Sequence, residues 1–89
     1  MPDVSYVTHK GVRILYEDFE GGTPEEIIPC IEKAKGFIRS QPEKSVLALV
    51  NVKNAKFDMS VTSALKEFVK GNEPYIKCAV VYGVEGLKE

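Results

Sequence analysis

The stretch VLALVNVKNAKFDMSVTSALKEF, residues 46–68, decides the fold that we expect for this chain. Its first part, Val46 to Val52, is a nearly continuous apolar run of β-branched and small residues. Such a run is typical of a central strand that is covered on both faces in a parallel sheet. After a loop, Asp58 is placed to cap a helix. Apolar residues at helical spacing predict the inward face of that helix: Val61, Ala64, Leu65, Phe68 and Val69.

The segment that follows predicts the end of this helix and another strand. Gly71 is placed to end the helix in a left-handed conformation, and Pro74 is a further stop signal. Residues 76–82, IKCAVVY, predict a second buried strand. In the last segment, residues 83–89, a further helix would be starting.

The segment before residue 46 predicts a β-hairpin and a helix. Residues 4–8 and 12–19 are rich in β-branched and aromatic residues and are separated by a short turn at His9 to Gly11. The second strand alternates between an apolar set and a mixed set, Val12, Ile14 and Tyr16 against Arg13, Leu15 and Glu17. Thr23 and Glu26 form a capping-box pattern that predicts the helix start, and Pro29 predicts a bend.

The resulting order, β-β-α-β-α-β, predicts a single α/β domain over residues 1–89. Its sheet is small, mixed and mostly parallel, it starts with the hairpin, and the helices pack on it. Parallel strands need cover on both faces, and one covering helix is missing from this order. Either the domain is truncated before a C-terminal helix, or its exposed face is covered by a partner or by a second copy.

Composition limits the classes of function. Twelve Lys and Arg against thirteen Asp and Glu give a net charge of −1, which argues against a nucleic-acid partner. No apolar run is long enough for membrane insertion, and without a signal-peptide pattern we expect a cytoplasmic location. Cys30 and Cys78 are expected to be buried free thiols. His9 is the only histidine and has no Cys within obvious reach, so we expect no metal site and no Cys-His pair. No catalytic constellation is recognisable in the sequence, so we expect no catalytic residues and no cofactor.

The order of elements, with VLALVNVKNAKFDMSVTSAL at residues 46–65 and IKCAVVYGVEGL at residues 76–87, resembles the STAS-like domains. These are relatives of the bacterial anti-sigma-factor antagonists, and they share their fold with the CRAL-TRIO lipid-binding domains. Within this group, the chain resembles the uncharacterised STAS-like and CRAL-TRIO-like branch. In the antagonists, an Asp-Ser-Ser-Gly motif starts the helix after the central strand, and a partner kinase phosphorylates its second Ser. Here Asp58 matches the Asp and Ser60 takes the phosphorylated position, while Met59 and Val61 replace the other two residues.

Two groups of residues are candidate sites. The first is an interaction or phosphorylation site at the helix start, where a phosphate would meet unpaired backbone donors: Asp58, Ser60, Thr62 and Ser63. The second is an anion site in the loop that follows the carboxyl end of the central strand: Lys53, Asn54 and Lys56. The alternatives are polar residues that only cap the helix, and a solvated turn with Phe57 tucked into the core.

The resemblance and the absence of a nucleophile, base or metal set lead to two hypotheses of function. The first is a non-enzymatic interaction or regulatory module that binds a regulatory protein or itself, with Ser60 as a candidate phosphoswitch. The alternative is a carrier of a small apolar or lipid-like ligand, as the CRAL-TRIO relationship implies. An enzyme ranks below both because no activated residue can be named.

Overall fold

The structure is a computed structural model that describes residues 2–84 and contains one mixed four-stranded sheet and two helices. In chain order the elements are β1 (Asp3–His9), β2 (Val12–Asp18), α1 (Pro24–Arg39), β3 (Val46–Asn51), α2 (Met59–Asn72), a short 3-10 helix (Glu73–Tyr75) and β4 (Ile76–Tyr82). The α/β class and the predicted order of elements are confirmed. The further helix is expected to start within residues 83–89, and of these residues 85–89 lie outside the described residues.

The strands lie side by side in chain order. β1 and β2 pair antiparallel through a two-residue turn, in which Lys10 and Gly11 both have positive φ angles of 52° and 78°. That geometry suits the right-handed twist of a hairpin. β2 pairs parallel with β3, and β3 pairs parallel with β4. β1 and β4 are therefore the edge strands, and β3 lies between two neighbours as predicted.

α1 begins where the capping pattern places it. The backbone N–H of Thr23 donates to the Glu26 carboxylate at 3.0 Å, which satisfies a donor that the helix itself leaves free. The helix continues through Pro29, and the bend there stays a prediction. Ile27, Ile31, Ala34 and Ile38 are buried on the inward face, as their helical spacing predicts.

Both helices pack on the same face of the sheet. The crossovers from β2 to β3 and from β3 to β4 step in the same direction, and right-handed crossovers of that kind place their helices on one side. The helix side of the sheet includes Tyr6, whose ring lies 5.5 Å from that of Phe37 in α1. The expectation that β3 is covered on both faces is therefore wrong, because no described element covers the other face. Leu47 and Leu49 point there and are only half-buried.

β4 has the predicted bounds but not the predicted burial. Residues 77–82 are all exposed, because β4 is an edge strand and α2 packs mainly against α1. Cys78 is accordingly exposed, and only Cys30 is the buried free thiol that we expected.

The C-terminal half of α2 also differs from the prediction. Gly71 has no positive φ angle and lies inside the helix, which continues through Asn72 into the 3-10 turn. A Cβ atom at Gly71 would collide with the guanidinium of Arg39, so this glycine permits close packing against α1. Val61 and Phe68 are buried as predicted, but Val69 is 64% exposed because α2 does not lie flat on β4.

Candidate functional site

The predicted site at the start of α2 is built as a helix cap. The Asp58 carboxylate accepts hydrogen bonds from the Val61 backbone N–H at 2.9 Å and from the Ser60 hydroxyl at 2.6 Å. These bonds, that of Ser60 foremost, hold the pKa of Asp58 below its usual value. The Thr62 backbone N–H donates to the Asp58 carbonyl, and the Thr62 and Ser63 side chains are exposed.

Ser60 is exposed, and its surroundings are acidic. It lies in a shallow depression between the N-terminal ends of α1 and α2, which Asp58 and Glu25 also line. A phosphate on Ser60 would gain from the helix dipole but would stand beside two carboxylates. The phosphorylation of Ser60 stays a prediction, and the hydrogen bonds above give Ser60 a capping role as well.

The predicted anion site in the loop after β3 has few free backbone donors. The N–H of Lys53 donates to the Asn51 side chain at 3.0 Å, and that of Lys56 donates to the Gly22 carbonyl at 2.9 Å. Asn54 adopts a left-handed conformation with φ of 57°, as turn residues do. Both lysine side chains and Asn54 are exposed, and Phe57 is half-buried. These contacts are those of a solvated turn, and anion binding here stays a prediction.

The sheet has an open face, which we define as the side opposite to the two helices. Strand alternation and register place six apolar residues on it: Val7, Val12, Ile14, Leu47, Leu49 and Val80. Val7, Val12 and Val80 are 40%, 46% and 53% exposed, and the other three are half-buried. This is a contiguous apolar surface, and such surfaces on soluble domains mark interaction sites.

One end of the open face is polar. The Tyr16 and Tyr82 hydroxyls are 2.9 Å apart across β3, and this hydrogen bond is the main reason that the pKa of Tyr82 is raised to about 12. Between them the buried Asn51 amide donates to the carboxylates of Asp18 at 3.3 Å and Glu20 at 2.9 Å. The cluster lies at the carboxyl ends of the parallel strands, where α/β sheets place their polar sites.

On the helix side of the sheet there is a cavity that the sequence did not predict. It has a volume of about 260 Å³ and lies between α2 and strands β3 and β4. Its lining is apolar apart from Glu17, Asn72 and Glu73. Glu17 is 2% exposed, its Oε1 has no hydrogen-bond partner within the described part of the chain, and burial raises its pKa from the usual 4.5 to about 7.

A signal for Glu17 was present in the sequence. The apolar set of β2, Val12, Ile14 and Tyr16, lies on the open face, and the mixed set faces the helices. Leu15 and Phe19 are fully buried, and Glu17 stands between them at the same two-residue spacing. If this two-residue spacing is taken to define the inward face of β2, the sequence predicts a buried carboxylate.

The other polar groups of the described residues do not gather into a metal site. Within residues 2–84, no group of three His, Cys, Asp or Glu side chains is arranged to hold a metal ion. No helix in that range is both long enough and apolar enough to cross a membrane. Comparisons with protein-family models, curated proteins and solved structures found no match to the chain, so its resemblance to the STAS-like domains stays a prediction.

Proposed function

We propose that the protein is a non-enzymatic interaction module that associates with a second copy of itself through the open face of its sheet. The apolar surface on that face carries the proposal. At its centre Leu49 lies between Tyr16 of β2 and Val80 of β4, and no described element covers it. Burying such a surface against another apolar surface is the main source of association free energy.

The size of the open face suits a second copy. At about 4.8 Å between strands and 3.3 Å per residue, it measures roughly 19 by 23 Å. Two such footprints, together with the relief of their side chains, reach the roughly 1,000 Å² that a specific interface needs. Two sheets that pack face to face through interdigitating apolar side chains form the ordinary core of a β-sandwich.

The charges at the ends of the open face are also self-complementary. Asp18 and Glu20 lie at the carboxyl end of β2, whereas Lys10 lies in the hairpin turn at its amino end. In a two-fold dimer with antiparallel β2 strands, the carboxylates of each copy come to lie near the hairpin of the other. Complementary ends of this kind favour one orientation of the pair.

The proposal also includes three inferences that come from the sequence alone. They are a regulatory role of the STAS-like kind, a cytoplasmic location and control through Ser60. The polar end of the open face and the start of α2 both follow the carboxyl ends of strands, so they lie at the same edge of the sheet. A modification at Ser60 would therefore be placed near one end of the proposed interface.

Val80 and Val81 provide a matched pair for the test. They are neighbours in β4 and are equally exposed at 53%, but Val80 points to the open face and Val81 to the helix face. We expect sedimentation equilibrium to give twice the 9.9 kDa chain mass for the unaltered protein and for Val81→Lys. Val80→Lys should weaken association at least tenfold, because it places a charge inside the apolar contact.

Two results would overturn the proposal. One is a single 9.9 kDa species at every concentration, which would leave the open face without a second copy. The other is equal loss of association in both variants, which would place the contact at the free edge of β4 rather than on one face of the sheet. Circular dichroism of both variants shows whether each retains the fold.

A further inference from the structure

The cavity between α2 and the sheet lies on the opposite face from the proposed dimer contact, so what it binds is a separate question. We propose that this cavity binds a small primary amine with an apolar chain, whose ammonium group pairs with the carboxylate of Glu17. The inference goes beyond self-association and does not depend on it.

The shape and lining of the cavity suit a hydrocarbon chain. Its lining residues include Ile38 of α1, Phe68 of α2 and Val50 of β3, all of which offer only carbon atoms to a ligand. At about 260 Å³ it is smaller than the roughly 300–1,000 Å³ sites of drug-sized ligands, so a chain of about six to ten carbon atoms fits its scale. The exposed residues Val69 and Val81 place its mouth between α2 and β4.

Glu17 supplies the specific contact. A buried carboxyl group without a hydrogen-bond partner is unfavourable, and cores rarely retain one without a reason. Oε1 of Glu17 has no hydrogen-bond partner among residues 2–84, and Glu17 is one of the residues that line the cavity. A ligand that brings a donor to this oxygen would satisfy it and would exclude water from the pair.

The charges around the cavity favour a cation over an anion or a neutral head group. The two ionisable residues in its described lining are both acidic, Glu17 inside and the exposed Glu73 at the rim. Arg39 donates through Nε to the side chain of the lining residue Asn72 at 3.0 Å and is not part of the lining. Lys66 and Lys70 line a neighbouring groove on α2 and are not part of the lining either. Apart from Asn72, whose side-chain oxygen accepts from Arg39, the residues that β1, β3, α1 and α2 place near Glu17 are apolar: Val4, Val50, Ile38 and Phe68.

Binding of an ammonium ion should also release the carboxyl proton of Glu17 to the buffer. Below neutral pH the buried Glu17 carboxyl holds its proton, because burial favours the neutral form. The ammonium ion favours the carboxylate, so the carboxyl proton leaves to the buffer as the ion pair forms. Near pH 6 we therefore expect the release of close to one proton per bound ligand, which calorimetry in buffers of different ionisation enthalpy measures directly.

The test compares three probes of equal chain length with different head groups: n-octylamine, n-octanol and octanoate. Isothermal titration calorimetry of the whole chain should show octylamine binding at least tenfold more tightly than octanol, with the weakest binding for octanoate. Glu17→Gln keeps the size of the side chain and removes its charge, so it should cost octylamine at least tenfold in affinity. It should also abolish proton release and leave octanol binding unchanged.

Val80 and Val81 again serve as the matched controls. Val81 lines the cavity and Val80 does not, so Val81→Lys should weaken octylamine binding while Val80→Lys leaves it intact. Loss of dimerisation together with intact amine binding would therefore separate the two proposals. Tighter binding of octanoate than of octylamine, equal binding by unaltered and Glu17→Gln protein, or no octylamine binding at millimolar concentration would each overturn the inference.

Discussion

Glu17 shows how one residue can link the core to pH. Its carboxyl group is buried at 2% exposure beside apolar neighbours, and burial raises its pKa to about 7. In the unfolded chain the same group titrates near its usual value of 4.5. The folded state therefore holds this proton across a pH range in which the unfolded state has lost it, and stability must change over that range.

We predict that this domain loses stability as pH rises from about 4.5 to 7. The unfolded chain binds fewer protons there than the folded chain, so the free energy of unfolding falls with pH, by about 3 kcal/mol in total. Well below pH 4.5 Glu17 is protonated in both states, and well above pH 7 it is ionised in both, so its contribution is flat outside this range. Urea denaturation at a series of pH values measures it.

Glu17→Gln is the matched control for that titration. The amide has no proton to lose, so this variant should match the unaltered protein near pH 4 and exceed its stability near pH 8 by about the same 3 kcal/mol. Parallel pH profiles for the two proteins would mean that Glu17 titrates normally in the folded state.

At the scale of the element, two variants at the start of α2 compare how much the Asp58 carboxylate and the Ser60 hydroxyl stabilise the fold. Asp58→Ala removes the acceptor of the Val61 backbone N–H, and we expect a fall in melting temperature of roughly 4–8 °C, as for loss of a typical N-cap in a small domain. Ser60→Ala removes only a hydroxyl that donates to Asp58, so its fall should be smaller. Differential scanning calorimetry compares them, and an equal or larger effect of Ser60→Ala would contradict this assignment of roles.

The elements also show where sequence reasoning succeeds and where it does not. The sequence predicts both helix starts, because each depends on a contact within three residues. These contacts join Thr23 to Glu26 at the start of α1, and Asp58 to Val61 at the start of α2. The bounds of β4 follow from its run of β-branched residues. The exposure of β4 does not follow from its sequence, because burial depends on which strand lies at an edge of the sheet and on where α2 packs.

The two faces of β2 are a second case in which the sequence predicts the strand but not which residues are buried. Alternation separates Val12, Ile14 and Tyr16 from Leu15 and Glu17, but it does not say which set faces the helices. That choice is made by the handedness and direction of the crossovers, which involve residues from 12 to 82. The more apolar set lies on the open face, so local hydrophobicity alone would choose the wrong side. Both the proposed contact and the cavity depend on this choice.

For the whole molecule, the proposed contact through the open face would link folding to association. The two helices cover one side of the sheet, so the core lies on that side, and the apolar residues of the other side remain available to a second copy. A second copy that binds only the folded chain stabilises it by mass action. The domain should therefore be more stable when it is more concentrated.

We predict that the melting temperature rises with protein concentration. Once the concentration exceeds the dissociation constant, a further hundredfold increase adds about 1.4 kcal/mol of stability per chain, because the free monomer concentration rises only as the square root of the total. That gain corresponds to a rise of several degrees in a domain of this size. Val81→Lys should keep this dependence and Val80→Lys should lose it, because only Val80 points to the open face. Octylamine should raise the melting temperature of Val80→Lys at every protein concentration, since the cavity lies on the other side of the sheet. A melting temperature of the unaltered protein that does not change with concentration would contradict self-association and mean that the chain folds without a second copy.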